Sequence, residues 1–117
     1  MDGVIQIYGR KKCPDTRKAE RFFRERRVAY QLVDIDVKSP GARELELFAS
    51  VLGAEQLLDT QGKRYRERGL AYMEFDALSE IGEDPALLRT PIVRSGREVS
   101  IGPDTASWEK LATQDSG

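Results

Sequence analysis

Cys13 is the residue best suited to covalent chemistry, and it is the only cysteine in the 117-residue chain. The thiolate is the nucleophilic form of cysteine, and an ordinary thiol with a pKa of ~8.5 is mostly protonated at neutral pH. Lys11 and Lys12 precede Cys13, and Arg17 follows it by one helical turn, so positive charge near the sulfur favours the thiolate. This position indicates a reactive, partly exposed thiol rather than the inert buried cysteine that is common in protein cores.

Histidine is absent from the chain, which excludes the Ser-His-Asp and Cys-His catalytic arrangements and every imidazole metal site. A single cysteine excludes a disulfide within the chain and any multi-cysteine zinc or iron–sulfur site. We predict no metal and no bound cofactor. A chain without disulfides suits a reducing compartment, which predicts a cytoplasmic protein. No stretch approaches the ~20 apolar residues of a membrane span.

Charge is unevenly distributed along the chain. Residues 1–27 contain nine basic and four acidic side chains, a net charge of +5, whereas the remaining residues carry a net charge of −6. A basic N-terminal quarter indicates an anionic partner, although a solvated, salt-bridged helix face explains it equally well. Because the net charge of the whole chain is −1, we expect no direct binding to nucleic acid, for which the surface would be far more basic.

The first 35 residues have the pattern of a strand, a helix and a second strand. Residues 3–9 form a short β-branched run between two glycines, and residues 29–35 form a second apolar run. Between them, apolar side chains recur at helical spacing, and Pro14 suits the first helical position. This helix places Cys13 at its N-cap, where free backbone N–H groups and the positive end of the helix dipole also favour the thiolate. A strand–helix–strand unit of this length predicts two parallel strands.

The middle of the chain is predicted to be mostly helical, over about residues 40–88. One of its helices is expected to cover residues 71–81, with Phe75, Leu78 and Ile81 pointing inward.

The C-terminal part has the pattern of a hairpin and a last helix. Residues 91–93 and 97–101 read as two strands joined by a loop at Ser95–Gly96, and a helix that buries Trp108 follows. The order βαβ…ββα predicts an α/β, thioredoxin-like fold with a four-stranded mixed sheet. We expect one domain over residues 1–117, with the helical stretch inserted in it.

A proline follows Thr90 at the start of the third predicted strand. In thioredoxin-like folds, the residue before this proline faces the reactive cysteine, and the bond between the two residues is cis. We therefore predict a cis Thr90–Pro91 bond next to Cys13.

Three segments and one spacing match a known family. The segments are IQIYGRKKCPDTRKA, LLDTQGKRYRERGLA and LLRTPIVRSGREVSIG, and the spacing is Cys-x-x-x-Arg, from Cys13 to Arg17. With these features, the chain resembles the arsenate reductase/Spx family of glutaredoxin-like proteins along nearly its full length. The run from Cys13 to Thr16 is similar to a monothiol form of the glutaredoxin Cys-x-x-Cys, with Thr16 in place of the resolving cysteine. The residues expected to bind an anion or a thiol are Lys11, Lys12, Thr16, Arg17, Arg89, Thr90, Pro91 and Arg97.

The resemblance also identifies three departures. Glutathione-linked arsenate reductases of this kind carry a His where this chain has Gly9, and an Arg at the positions of Asp59 and Thr90. Arg89 stands one place from the last of these, and Arg97 follows the hairpin glycine, as a further family Arg does. A site for arsenate needs several convergent cations. We therefore expect a covalent adduct with a small anionic thiol more readily than arsenate turnover.

Three functions remain open at this stage. The first is an oxidoreductase in which the adduct on Cys13, formed with a small thiol or an oxyanion, is resolved from outside. The resolving co-substrate would be glutathione, another low-molecular-weight thiol or a thioredoxin/glutaredoxin-type protein. The second, which the resemblance to Spx implies, is a regulatory module that binds RNA polymerase and needs no turnover. The third is a structural protein with an unused thiol.

Overall fold

The computed structural model describes residues 4–116 and, for side chains, residues 4–113. Its strands are β1 (Ile5–Gly9), β2 (Tyr30–Asp34), β3 (Ile92–Ser95) and β4 (Glu98–Ile101), and its helices are α1 (Pro14–Glu25), α2 (Ala42–Leu52), α3 (Lys63–Glu67), α4 (Ala77–Glu83) and α5 (Thr105–Ser116). Short 3-10 turns cover Ala54–Leu57, Leu70–Tyr72 and Pro85–Leu87. Gly3, at the start of the first predicted strand, lies outside the described residues. No helix in the described part is long and apolar enough to cross a membrane.

The chain divides into two compact units. The first, called the sheet unit below, contains the described residues up to Lys38 and those from Thr90 onward. The second, called the helical unit, is Ser39–Arg89. The expectation of a single domain with an insertion over residues 40–88 stays a prediction.

The four strands form one mixed sheet in the order β2-β1-β3-β4. β1 and β2 are parallel, whereas β3 is antiparallel to both β1 and β4. The first pair is parallel because α1 crosses over between them and returns the chain in the same direction. This is the predicted thioredoxin-like fold. Cys13 follows the carboxyl end of β1, and since Tyr8 pairs with Ile92, the chain enters β3 at that same end of the sheet.

The β3–β4 hairpin turns one residue later than predicted. Ser95 pairs with Glu98, so the two-residue loop is Gly96–Arg97 and not Ser95–Gly96. Gly96 has a φ of +61°, a conformation that glycine adopts at little cost, and this fixes the position of the turn.

α1 and α5 cover one face of the sheet. Phe22 meets Trp108 edge to face, with ring centroids 5.5 Å apart. Such a pair contributes about 0.5–1.5 kcal/mol beyond the area that it buries. The packing of these helices fixes α1, and with it Cys13, relative to the strands. The buried cluster consists of Ile5, Ile7, Ala19, Phe22, Phe23, Val93, Trp108, Leu111 and Ala112.

The predicted helix over residues 71–81 is wrong in its first half. Residues 73–76 are not helical, and α4 begins after them. The reason is the Asp76 carboxylate, which accepts a hydrogen bond from the Ser79 N–H (3.0 Å) and so caps the helix at this point. Phe75, expected on the inward face of the longer helix, is only partly buried.

Ion pairs connect α3 to α4 within the helical unit. The Arg68 guanidinium donates to Glu80 and to Asp84, the latter with an Nη1–Oδ2 distance of 3.3 Å. Arg64 also pairs with Asp84, at 3.2 Å. The arginines of this polar segment therefore hold neighbouring helices together.

Candidate active site

Cys13 occupies the N-cap of α1, as predicted, and its side chain is partly exposed. A tight turn brings it there, because the Cys13 N–H donates to the Arg10 carbonyl (3.1 Å). The Cys13 carbonyl accepts the first helical hydrogen bond, from the Arg17 N–H (3.2 Å). Pro14 suits the first helical position because it has no N–H of its own that would need a partner there. The sulfur is thus held where free N–H groups and the positive end of the helix dipole favour an anion.

Thr16 supplies a hydroxyl beside the sulfur. Its side chain is buried, and its Oγ1 accepts a hydrogen bond from the backbone N–H of Arg10 (3.3 Å). Because that bond uses an acceptor lone pair, the hydroxyl proton is available to the Cys13 thiolate, to which it donates. Thr16, which the resemblance places where a glutaredoxin has its second cysteine, is therefore a hydrogen-bond donor to the Cys13 sulfur.

Thr90 reaches the sulfur from the start of β3. The thiol of Cys13 donates to the Thr90 carbonyl oxygen, with an Sγ–O distance of 3.7 Å, and the Thr90 hydroxyl donates to the thiolate. The first bond stabilises the protonated form and the second the ionised form. Since S–H is a weak donor and bonds to an ionised acceptor are strong, the second outweighs the first. The Thr90–Pro91 peptide bond is cis, as predicted.

The pKa of Cys13 lies below its ordinary value. Burial alone raises this pKa, but hydrogen bonds from the Thr16 and Thr90 hydroxyls and from the backbone N–H groups of Thr16 and Asp15 lower it by more. All of these donors are uncharged. The predicted direction of the pKa shift is therefore right. Of the two predicted causes, the backbone N–H groups at the helix start contribute, whereas the neighbouring cations are not among the groups that lower this pKa.

Arg17 bonds to the loop before the cysteine rather than to the sulfur. Its Nη1 donates to the Lys11 carbonyl (3.0 Å), and its side chain is exposed. Lys11 and Lys12 are exposed as well. These three predicted site residues therefore line the solvent side of the Cys13 loop, where an anionic ligand can reach them.

Gly9 and Thr16 interlock, a contact that the sequence prediction missed. A Cβ on Gly9 would overlap Cγ2 and Oγ1 of Thr16 and would lie 2.9 Å from its Cβ. A larger residue at position 9, such as histidine, would displace Thr16 from the place where it donates to the sulfur. The available signal was a glycine at a strand end, which often marks a close approach of another chain segment.

Arg97 does not join this site. It lies in the β3–β4 loop, beyond the amino end of β1, whereas Cys13 follows the carboxyl end of that strand. The five steps along the chain from Thr90 to Ser95 span about 16 Å at ~3.3 Å per residue. The prediction that Arg97 binds an anion beside Cys13 is wrong, because the hairpin turns at the far end of the sheet.

Arg89 and Asp59 belong to the helical unit, where they flank an antiparallel bridge between Leu58 and Leu88. Their backbone N–H groups donate to carbonyls across this bridge, at 2.7 and 2.8 Å respectively. The Asp59 side chain packs on Gly62, where a Cβ would lie 2.5 Å from Oδ2. Asp59 therefore has a local role in the turn before α3, and anion binding by Arg89 stays a prediction.

A thioredoxin-like sheet with a partly exposed, activated cysteine at the start of its first helix defines a glutaredoxin-like protein. The comparison with family models narrows this class. The model described as "ArsC family" matches residues 8–111, and the chain belongs to this family.

Known relatives include both a regulator and an enzyme. The chain is 30% identical over 104 residues to the global transcriptional regulator Spx 2 of Oceanobacillus iheyensis, a match that covers 85% of this chain and 76% of that protein. It is 29% identical over 104 residues to the arsenate reductase of Neisseria meningitidis, with 84% of this chain and 89% of that protein covered. The solved structure of the YffB protein superposes with a TM-score of 0.84 at 20% identity, covering 93% of this chain and 99% of that one, which supports the fold.

Proposed function

We propose that this protein is a thiol-dependent oxidoreductase in which Cys13 is the nucleophile. The observation that carries the proposal is a partly exposed thiol, at a helix N-terminus, whose pKa is lowered by nearby donors. A lower pKa increases the fraction of thiolate at neutral pH, and the thiolate is the form that attacks. A reducing compartment such as the cytoplasm keeps the thiol available for this chemistry.

The proposed reaction is thiol–disulfide exchange. The Cys13 thiolate attacks one sulfur of a disulfide, a new S–S bond forms, and the second sulfur leaves with the bonding electron pair as a thiolate. The chain has one cysteine, and Thr16 occupies the resolving position. An external thiolate therefore attacks the sulfur that is bound to Cys13 and forms a new disulfide with it. Cys13 leaves as a thiolate and so returns to its starting form.

A small anionic thiol such as glutathione is the proposed co-substrate, and no tightly bound cofactor takes part. Its carboxylates suit the exposed cations of the Cys13 loop, Lys11, Lys12 and Arg17. Arsenate is a second electrophile to consider, since a relative is named arsenate reductase. With Arg97 at the far end of the sheet unit, fewer cations surround the sulfur than an oxyanion site needs, so we expect arsenate turnover to be slow.

Two incubations test this proposal. The first exposes the protein to glutathione disulfide, and the second to arsenate with glutathione and glutaredoxin. We expect mass spectrometry to detect a glutathione adduct on Cys13 in the first, with little arsenite formed in the second. The Cys13→Ser variant is the matched control and should be inactive in both. Robust arsenate reduction that depends on Cys13, without an adduct in the first incubation, would reverse the order of the two electrophiles.

A regulatory module that binds RNA polymerase is the alternative function. The observation in its favour is the relative named Spx 2, whose similarity extends over 85% of this chain. Immobilised protein incubated with purified RNA polymerase separates the alternatives. A stable complex that also forms with Cys13→Ser, together with no measurable thiol–disulfide exchange, would favour the regulator. No complex, together with efficient exchange, would favour the enzyme.

A further inference from the structure

The solvent face of α1 carries a row of arginines. Arg17, Arg21 and Arg24 are spaced by four and three residues, opposite the face that buries Phe22 and Phe23, and all three are exposed. Exposed lysines extend the row on the same helix and on the loop before it. The basic face of α1 is defined here as Lys11, Lys12, Arg17, Lys18, Arg21 and Arg24.

Two members of this row oppose the stability of the helix, whereas Arg24 lies in the last turn, where a cation suits the helix dipole. Arg17 and Arg21 are like charges one turn apart, which repel each other. Arg17 also lies near the first turn, where a cation meets the positive end of the helix dipole. Among the described residues, no member of the basic face forms an ion pair. Glu20, an acidic neighbour on α1, is hydrogen-bonded to the Tyr30 hydroxyl (3.0 Å). Helix stability therefore does not account for Arg17 and Arg21.

The basic face is longer than a small thiol can cover. From Cys13 to Arg24 the helix advances about 16 Å, at 1.5 Å per residue. A tripeptide such as glutathione spans at most about 10 Å when fully extended. With its sulfur at Cys13, it can meet the cations of the loop, but Arg24, at the far end of the helix, lies beyond it. A ligand that uses the whole face must be larger.

A protein is the larger partner that the charges favour. Exposed ion pairs are individually weak, so such a surface acts when many charges meet at once and speed the encounter. The charge balance does not suit nucleic acid, because the helical unit has six basic and ten acidic residues, a net charge of −4, and the whole chain has a net charge of −1. Proteins that bind nucleic acid carry the opposite balance. An acidic protein surface suits the basic face without requiring a basic protein overall.

We propose that the basic face of α1 docks a protein whose reactive thiol or disulfide lies in an acidic surface, and that it directs that sulfur to Cys13. This inference rests on the proposed function. The covalent step is the exchange already described: the Cys13 thiolate attacks one sulfur of the partner's disulfide, and the other sulfur leaves as a thiolate. The arginines take no part in the bond changes. They raise the encounter rate, which salt lowers by screening the charges.

Two activated peptides of equal length test the proposal. Each contains one cysteine joined to a 2-pyridyl group through a disulfide, and Asp and Glu surround the cysteine in one peptide where Asn and Gln surround it in the other. Attack by Cys13 on the peptide sulfur releases 2-thiopyridone, whose absorbance gives the rate. We expect the acidic peptide to react about tenfold faster at low ionic strength, and the two rates to converge at high salt.

Charge reversal locates the effect on the molecule. The double variant Arg21→Glu with Arg24→Glu should lose most of the preference for the acidic peptide. The matched control is Lys38→Glu with Lys110→Glu, which makes the same change in net charge at exposed positions outside the basic face. It should keep the preference. An equal loss in both variants would overturn the proposal, because net charge alone would then explain the effect.

The neutral reagent 2,2′-dithiodipyridine separates this proposal from the proposed function. If it reacts with Cys13 no faster than with an ordinary thiol, the proposed function fails and the docking proposal with it. If it reacts readily while the two peptides react at equal rates, only the docking proposal is overturned. Binding of duplex DNA that depends on Arg21 and Arg24, without any preference for the acidic peptide, would also overturn it.

Discussion

The helical unit and the sheet unit use their charged side chains in different ways. In the helical unit, Arg64 and Arg68 pair with acidic residues of the same unit and connect its helices. In the sheet unit, Arg10 pairs with Asp36 (3.3 Å), but Lys11, Lys12 and Arg17 near Cys13 are exposed. Uncharged hydroxyl and N–H groups act on the sulfur. The difference shows that charge close to a cysteine in sequence need not set its pKa. Short-range donors set it, and the exposed cations remain available to a partner.

We expect the largest effect when one glycine in each unit is replaced by alanine and the changes in the free energy of unfolding are compared. Gly9→Ala should lower the free energy of unfolding by about 1–3 kcal/mol, because the added Cβ overlaps Thr16. Gly82→Ala in α4 is the matched control. Its Cβ enters open space, and alanine is the better helix former by about 0.8–1.0 kcal/mol, so stability should rise. Urea unfolding measures both. Equal stability of Gly9→Ala and the wild type would show that the two residues do not interlock.

Thr16→Val tests whether an uncharged donor controls the thiol. Valine keeps the shape of threonine and removes the hydroxyl that donates to the thiolate. The pKa of Cys13 should rise, and alkylation by iodoacetamide at pH 7 should slow by about tenfold, the equivalent of one hydrogen bond of ~1.4 kcal/mol. The rate–pH profile should move to higher pH. An unchanged profile would remove Thr16 from the explanation of the lowered pKa.

Arg17→Ala tests whether an exposed cation near Cys13 affects the pKa of the thiol. Because the guanidinium bonds to the Lys11 carbonyl, we expect the alkylation rate at pH 7 to change by less than about twofold, as exposed charges act weakly. The reaction with glutathione disulfide should slow more than alkylation does, since only glutathione is anionic. If Arg17→Ala shifts the rate–pH profile as far as Thr16→Val, the contrast between the two units disappears.

The smallest expected effect is a dependence of stability on pH. Because the folded state lowers the pKa of Cys13, the folded thiol is ionised at pH values where the unfolded thiol is still protonated. The resulting stabilisation is complete above the ordinary pKa of ~8.5 and is lost as pH falls through the folded pKa. The stability of the wild type relative to Cys13→Ser should therefore rise from pH 6 to pH 9, by less than ~1 kcal/mol for a partly exposed group. A relative stability that falls over this range would contradict the sign of the pKa shift.

Local patterns explain which parts of the fold could be predicted. The strand–helix–strand start was predictable because Pro14 and the apolar spacing of α1 are signals within one element. The helix over residues 71–81 failed because the apolar pattern continues through a segment that the Asp76 cap excludes from the helix. The hairpin loop was off by one residue because Gly96 can occupy either loop position, and only the register decides.

In the candidate site, too, the features that depend on neighbouring residues in sequence were predicted, and those that depend on packing were not. The place of Cys13 at a helix N-terminus follows from its immediate neighbours in sequence, and it was predicted. The prediction for Arg97 failed because β3 runs away from the Cys13 end of the sheet, so the hairpin loop lies at the opposite end. Spacing along the chain does not reveal this direction. The orientation of the Thr16 hydroxyl depends on the Arg10 N–H and on the missing side chain of Gly9. Such contacts exist only after the strand and the helix have packed.

The uncharged donors around Cys13 also affect the second sulfur of an attacked disulfide, the one that leaves in the proposed exchange. They stabilise the attacking thiolate, but hydroxyl and amide groups do not act as general acids, and the chain has no histidine to supply a proton near neutral pH. In the proposed exchange, the departing sulfur must therefore leave unprotonated, and it leaves faster the lower its own pKa is. If this exchange is the protein's reaction, its rate follows the acidity of the thiol that leaves. An aromatic or otherwise acidic thiol should be released quickly, whereas a simple alkyl thiol should be released slowly even from a well-bound disulfide.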